Sequence, residues 1–188
     1  MVPNGDLFKA LHHNKASIVT DHIERFVENG ILLKSGKTLE ADIIVTATGL
    51  NLQTLGGMQL YIDDKLMPTH QAMTYKGVLI QDAPNFAYLF GYTNASWTLK
   101  LNIAADYLCR LYNHMDAKAY TVATPHDNEG CATDKSMLDS LGSGYVQRAS
   151  AHLPRQGNKQ PWMVLNDFRR DTEILGKHPI EDGILQFT

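Results

Sequence analysis

Apolar positions along the first forty residues come in short runs cut by turn signals. Leu7, Phe8, Ala10 and Leu11 fit one short helix that Asn4 or Asp6 can cap and Asn14 can end. A strand candidate at residues 16–20 follows. Asn29-Gly30 and Ser35-Gly36 then place two turns six residues apart, between runs at 23–27, 31–34 and 37–40, which predicts a three-stranded meander. The next run, Asp42-Ile43-Ile44-Val45-Thr46-Ala47, is continuously apolar or β-branched and ends at Thr48-Gly49. Such a run predicts a strand buried on both faces. A second hairpin is expected around Asp63-Asp64-Lys65, between 60–62 and 66–67, with further strands at 77–81 and 86–90 separated by the turn Asp82-Ala83-Pro84-Asn85.

The strongest periodicity belongs to a helix. Trp97, Leu101, Ala104, Leu108, Leu111 and Met115 recur at spacings of three and four, while Asn102, Asp106, Arg110 and Asn113 fall on the opposite face, with Asp106 and Arg110 four apart. From Lys118 onward Pro125, Pro154, Pro161 and Pro179, with several glycines, break the pattern into short pieces. Helical turns are expected at 144–153 and 167–175, and the segment reads as one that wraps over something larger.

Composition narrows the class. The 188 residues are 44% hydrophobic and 20% charged, which predicts a buried core and excludes intrinsic disorder. Lys and Arg number 17 against 20 Asp and Glu, a net charge of −3 that offers no basic footprint for nucleic acid or anionic membrane. The longest uncharged stretch, 43–62, holds 11 apolar residues and three glycines, so no transmembrane segment is expected. A second uncharged stretch covers 83–99. Two cysteines, Cys109 and Cys131, and a start without a basic and apolar leader point to a reducing cytoplasmic setting.

Most chemical motifs are missing. No G-x-G-x-x-G is present; Gly142-Ser143-Gly144 lacks the third glycine and follows no strand. H-E-x-x-H, C-x-x-C and G-x-S-x-G are absent, His12-His13 reads as solvent-facing at a helix end, and His126 with Cys131 makes a poor zinc pair, so no metal is expected. Two segments stand above this background. The 42–50 run ends in small residues and glycine, which suits either a backbone approaching a flat cofactor or a plain strand-to-helix turn. Gly91-Tyr92-Thr93-Asn94-Ala95-Ser96-Trp97-Thr98 opens the long helix. There Asn94 and Ser96 are natural N-caps, and helix-start N–H groups carry about half a positive charge, which suits a carbonyl oxygen or a developing anion. Capping and ligand binding are both compatible with these residues.

Those same residues carry a family resemblance. Ala47-Thr48-Gly49 after an Asp-led strand, the segment Pro84-Asn85-Phe86 through Gly91-Tyr92-Thr93-Asn94-Ala95-Ser96-Trp97-Thr98-Leu99-Lys100, and the opening Val2-Pro3-Asn4-Gly5-Asp6-Leu7-Phe8 resemble the flavin-containing and Baeyer–Villiger monooxygenases, most of all the ethionamide-activating type. Ser143-Gly144-Tyr145-Val146-Gln147-Arg148, Leu153-Pro154-Arg155-Gln156-Gly157 and Pro161-Trp162 extend the likeness toward Thr188. Family members carry two G-x-G-x-x-G turns and an intervening F-x-G-x-x-x-H-x-x-x-W fingerprint, none of which is found here. The resemblance is therefore to the C-terminal two-fifths of such an enzyme, with the family's catalytic arginine expected upstream.

The resemblance implies an α/β fold: an incomplete FAD/NAD(P)-binding fold of the kind with two dinucleotide-binding domains, bearing a β-meander and an irregular C-terminal extension. Residues 1–48 would be the remainder of the NADPH-binding domain, 49–117 part of the FAD-binding domain, and 118–188 an extension wrapping the core. It implies FAD and NADPH as cofactors, with NADPH reducing the flavin and a C4a-peroxyflavin oxygenating a ketone, or the sulfur or nitrogen of a thioether or amine, with O2. It carries over Thr48 and Gly49 as crossover contacts, and Asn94, Ala95, Ser96 and Trp97 as a loop at the flavin pyrimidine edge. Lys100 is weighed as a charge partner one turn later, with a solvated lysine preferred. The expected partner is the N-terminal part of the same enzyme; a peripheral membrane position is left open, and the rival reading is a non-catalytic remnant that folds or interacts without FAD.

Overall fold

The computed structural model describes residues 3–188; Met1 and Val2, the latter opening the Val-Pro-Asn-Gly-Asp motif, lie outside the described residues. The chain divides into two units, Met1–Thr48 and Gly49–Thr188.

In the first unit α1 (Asp6–His12) starts at Gly5 with no side-chain cap, so neither Asn4 nor Asp6 caps it, and Asn14 at φ 55 leads the chain away. The meander forms as its turn signals predict: β1 (Ile23–Val27), β2 (Gly30–Leu33) and β3 (Thr38–Glu40) pair antiparallel in that order. Gly30 opens β2 at φ 152, and a Cβ there would run into the carbonyl oxygen of Leu39 on β3, so only glycine fits. Two expected strands are absent. Residues 16–20 form none, and the 42–47 run is unpaired, with Ile43 and Val45 more than four-fifths exposed. A strand exists through its ladder; this β-branched run has no neighbouring strand among the described residues, so its apolar pattern is not matched by burial.

The second unit builds several two-stranded ladders around one long helix. β4 (Leu60–Ile62) and β5 (Lys65–Met67) form the expected hairpin through Asp63 and Asp64, both at positive φ as a primed turn requires. β6 (Thr74–Tyr75) and β7 (Leu79–Ile80) make a tight hairpin within the core. Residues 86–90 are not a strand: a single bridge joins Ala87 to Leu79, because only one register position aligns before the chain turns toward the helix. That helix, α2 (Trp97–Lys118), forms as predicted. Beyond it come β8 (Ala123–Pro125), β9 (Ala132–Ser136), α3 (Gly144–Ala149), β10 (Arg155–Gly157), α4 (Phe168–Lys177) and β11 (Leu185–Phe187). β8 pairs with β11 and β9 with β10, so the Pro-rich segment closes on itself through distant pairings.

Two apolar clusters result. The larger joins Met73, Tyr75 and Val78 to Tyr107 and Leu111 of α2 and to Trp162, Leu175 and Leu185, with Tyr75 and Trp162 edge-to-face at 5.8 Å. The smaller gathers Met137, Leu138, Val146, Ala149 and Leu153, against which Leu52, Tyr88, Phe90 and Tyr145 pack. α2 buries Lys100, Ala104, Tyr107, Leu111 and Met115, a stripe rotated from the predicted one, and Trp97 is half-exposed. The rotation follows from α4, which packs on α2; Arg110, rather than pairing with Asp106, donates to the carbonyls of Leu175 and His178. No helix among the described residues is long and apolar enough to cross a membrane.

Candidate functional site

The loop entering α2 has a buried root and an exposed rim. Its root is Gly91 and Tyr92, both buried; its rim is Asn94, Ala95, Ser96, Trp97 and Thr98, all exposed. The indole of Trp97 folds directly over Gly91 and meets the ring of Phe90 at 4.5 Å between centroids. Ser96 occupies the N-cap position, but its hydroxyl faces Thr98 Oγ1 at 3.0 Å and caps no backbone N–H; Asn94 turns outward too, its Nδ2 donating to the Asn166 carbonyl at 2.9 Å. The expected side-chain capping is therefore absent. The positive end of the helix is left for another acceptor, which is the property a flavin edge would require.

Beneath the rim lies a charged group that sequence reasoning placed in solvent. Lys100 is buried, and its ammonium sits 2.9 Å from Asp171 Oδ2 on α4; both side chains are within 6% exposure. The hydroxyl of Tyr92 donates to the same oxygen at 2.8 Å. Burial pulls the Lys100 ammonium below the ordinary lysine range, against the opposing pull of Asp171. Burial and the Asp171 carboxylate push the Tyr92 phenol upward, so it stays a donor. A signal for this was in the sequence: Lys100 is in phase with Ala104, Tyr107, Leu111 and Met115. A lone lysine on an apolar stripe needs an acidic partner, but nothing in the sequence says which.

A second group repeats the chemistry in the larger core. Tyr75 donates to Asp182 Oδ2 at 2.6 Å, and Lys76 lies 3.1 Å from that oxygen, over the rings of Tyr75 and Tyr107. Burial works against the Asp182 charge, but the Tyr75 hydrogen bond and Lys76 outweigh it and hold the carboxyl below its usual range. Burial depresses Lys76, with Asp182 opposing.

The crevice behind the loop, lined by Gly91, Tyr92, Lys100, Leu138 and Asn166, has about 10 Å³ of free volume. That is room for about one water, and none for a ring. Thr48 ends the first unit, exposed, and Gly49 opens the second at φ 90. A Cβ on Gly49 would reach Tyr145 at 3.8 Å, an ordinary contact, so the glycine is required by its backbone conformation and not by crowding. Beside it Asn51, Leu52, Tyr145, Arg148 and His152 line an open hollow of about 200 Å³. Tyr145 and Phe90 both pack on the smaller cluster, so Gly49 and the 94–97 loop share one support. His126 pairs with Asp82 at 2.6 Å, and among the described residues no three His, Cys, Asp or Glu side chains are grouped to hold a metal.

Comparison with known proteins finds relatives that match nearly the whole of this chain. Over 186 residues, 99% of this chain, it is 59% identical to MymA of Mycobacterium tuberculosis strain H37Rv, named as an FAD-containing monooxygenase. It is 47% identical over its whole length to AlmA of Acinetobacter baylyi, named as an FAD-binding monooxygenase, and 43% identical to the FAD-containing monooxygenase EthA of M. tuberculosis H37Rv. The chain is homologous to the C-terminal part of the FAD-containing monooxygenases. It spans 38% of the length of each of these relatives. No family model matches it, and no solved structure matches it. As a monooxygenase homologue it carries the 94–97 rim and the Thr48-Gly49 turn in a stretch aligned nearly end to end with these flavoproteins.

Proposed function

We propose that this chain is the C-terminal portion of an FAD- and NADPH-dependent monooxygenase, and that it supplies the loop meeting the pyrimidine edge of the flavin. One observation carries the reading: the start of α2 is exposed and without a side-chain cap, in a chain related throughout its length to FAD-containing monooxygenases. Bound flavin supplies the activation of O2. The chain's own residues do the rest. The N–H groups at Trp97 and Thr98 offer partial positive charge to an electron-rich carbonyl edge, and Asn94 adds a polar side chain at the rim. Trp97 and Phe90 form an apolar wall that excludes water from that edge. Thr48 and Gly49 would let the backbone approach the cofactor. We assign 1–48 to the remainder of the NADPH-binding domain, 49–117 to part of the FAD-binding domain and 118–188 to an extension wrapping the core; the division of the structure after Thr48 supports the first of these boundaries.

The substrate proposed is a ketone, oxygenated next to its carbonyl, or a thioether or amine oxidised at sulfur or nitrogen. A neutral, apolar approach through 83–99 favours such uncharged molecules over phosphorylated or strongly ionic ones. The test is a chimera in which this chain replaces the matching 38% of MymA. A yellow protein holding about one FAD per chain and oxidising NADPH is the expected result; Asn94→Asp in the same chimera should weaken flavin binding or slow its reduction, by placing a negative charge beside an edge that becomes negative. A folded, colourless chimera would instead favour a module without flavin, and an Asn94→Asp variant with unchanged flavin binding and reduction would remove the 94–97 loop from the cofactor.

A further inference from the structure

Trp97 packs on Phe90 and Ser96 meets Thr98, but the long-range polar contacts given for the 92–100 segment go to one distant stretch of chain. Tyr92 donates to Asp171, the Thr93 N–H to Asn166 Oδ1 at 3.4 Å, the Asn94 side chain to the Asn166 carbonyl, and Lys100 pairs with Asp171. Asn166 uses its remaining group as well, donating from Nδ2 to Ser140 Oγ at 2.7 Å. Asp167, next in the chain, accepts from the N–H groups of Arg169 and Arg170 and so fixes the start of α4. Arg110 of α2 holds the other end of α4 through the Leu175 and His178 carbonyls. α4 is thus tied at both ends to the helix whose first turn forms the rim.

We propose that the 166–171 stretch is a positioning element for the 92–97 loop, with Asp171 acting through Lys100 and Tyr92, and Asn166 acting through Thr93 and Asn94. A buried ion pair is a poor device for stability, since desolvating both charges offsets much of their attraction, and an apolar pair of similar size commonly does as well or better. Its distinctive property is direction. One carboxylate oxygen shared by a phenol before the loop and an ammonium after it fixes the distance between the two ends of the loop, as no apolar contact would. The extension beyond residue 118 then does more than cover the core, because its polar groups set the shape of the rim. The anchoring stands whatever the loop binds; its consequence for a flavin rests on the function proposed above.

Hydrogen exchange on this chain tests the anchoring. Asn166→Ala removes the side-chain acceptor of the Thr93 N–H and the hydrogen bond to Ser140 that orients it, while leaving the backbone carbonyl that Asn94 uses and the ion pair in place. It should speed exchange of the 92–99 amides about tenfold, with a nearly unchanged melting temperature and unchanged protection in the 23–40 meander. The double variant Lys100→Met with Asp171→Leu replaces the charge pair as a unit, so it remains folded where a single change could fail. Tyr92 loses its acceptor as well, so the melting temperature should fall only slightly below wild type, while the loop amides become fast. Wild-type exchange at 92–99 in both variants, or loop exchange that merely follows global stability, would overturn the proposal. In the MymA chimera, Asn166→Ala should also shift the flavin absorption band. A loosened loop with an unshifted flavin would uphold the anchoring and overturn the flavin-edge reading alone.

Discussion

Lys100 shows how much a single side chain can conceal. Truncating it to Met leaves the Asp171 carboxylate buried without its partner, which should cost about 3–5 kcal/mol, whereas the Lys100→Met, Asp171→Leu double variant should recover most of that loss. Chemical denaturation of the two variants checks both halves, and a single variant no less stable than the double would show the pair to be uncoupled. Asp182 gives a pH signature. Its carboxyl is held below the usual value in the folded state, so it contributes stability above the unfolded value of about 4, and that contribution disappears as pH falls through the lower, folded value. The melting temperature should therefore drop below about pH 4, and Asp182→Asn should flatten that part of the profile while lowering stability at neutral pH. An unchanged acid limb in the variant would assign the drop to other carboxylates.

The elements differ in what defines them. The meander is fixed by local turns and by Gly30, whose missing side chain lets β3 approach β2. Gly30→Ala should break the β2–β3 pairing at a cost of about 1–3 kcal/mol or more, through overpacking against backbone that cannot yield. Limited proteolysis within 23–40 should rise accordingly, while the Gly49–Thr188 unit keeps its protection; resistance equal to wild type would mean that the strand shifts to accept the methyl group. α2 was legible because its 3.6-residue period is long and unbroken. Its buried stripe was not, because α4 covers the side that a single amphipathic helix would turn to water. The 42–47 run shows the opposite case, a strand pattern without a ladder.

At the scale of the molecule, apolar surface is left uncovered. Ile43, Val45, Leu50, Met58 and Trp97 are all exposed, and Ile43 and Val45 lie on a β-branched run with no pairing strand among the described residues. The purified chain should therefore self-associate, and Ile43→Lys with Val45→Lys should reduce that association in sedimentation or light scattering. It should also be colourless and consume no NADPH with any ketone or thioether, since no glycine-rich turn for either pyrophosphate is present in these 188 residues. A yellow, monomeric preparation with substrate-dependent NADPH oxidation would overturn both expectations.

Local chemistry was decided by the sequence itself. Turn residues placed the meander and the 60–67 hairpin, periodicity placed α2, Asp167 marked the start of α4, and the motifs around Gly49 and Trp97 pointed to the flavin monooxygenases, now joined by their relatives at 40–59% identity. Tertiary structure alone decided the partners. That Lys100 meets Asp171, that Asn166 holds Thr93 and Asn94, and that Arg110 closes the end of α4 all join residues more than sixty positions apart. Spacing along a chain reports which face a residue occupies, because a helix or strand repeats over a few residues; it carries no information on which distant carboxylate will arrive opposite a buried ammonium. That is settled only when the elements pack.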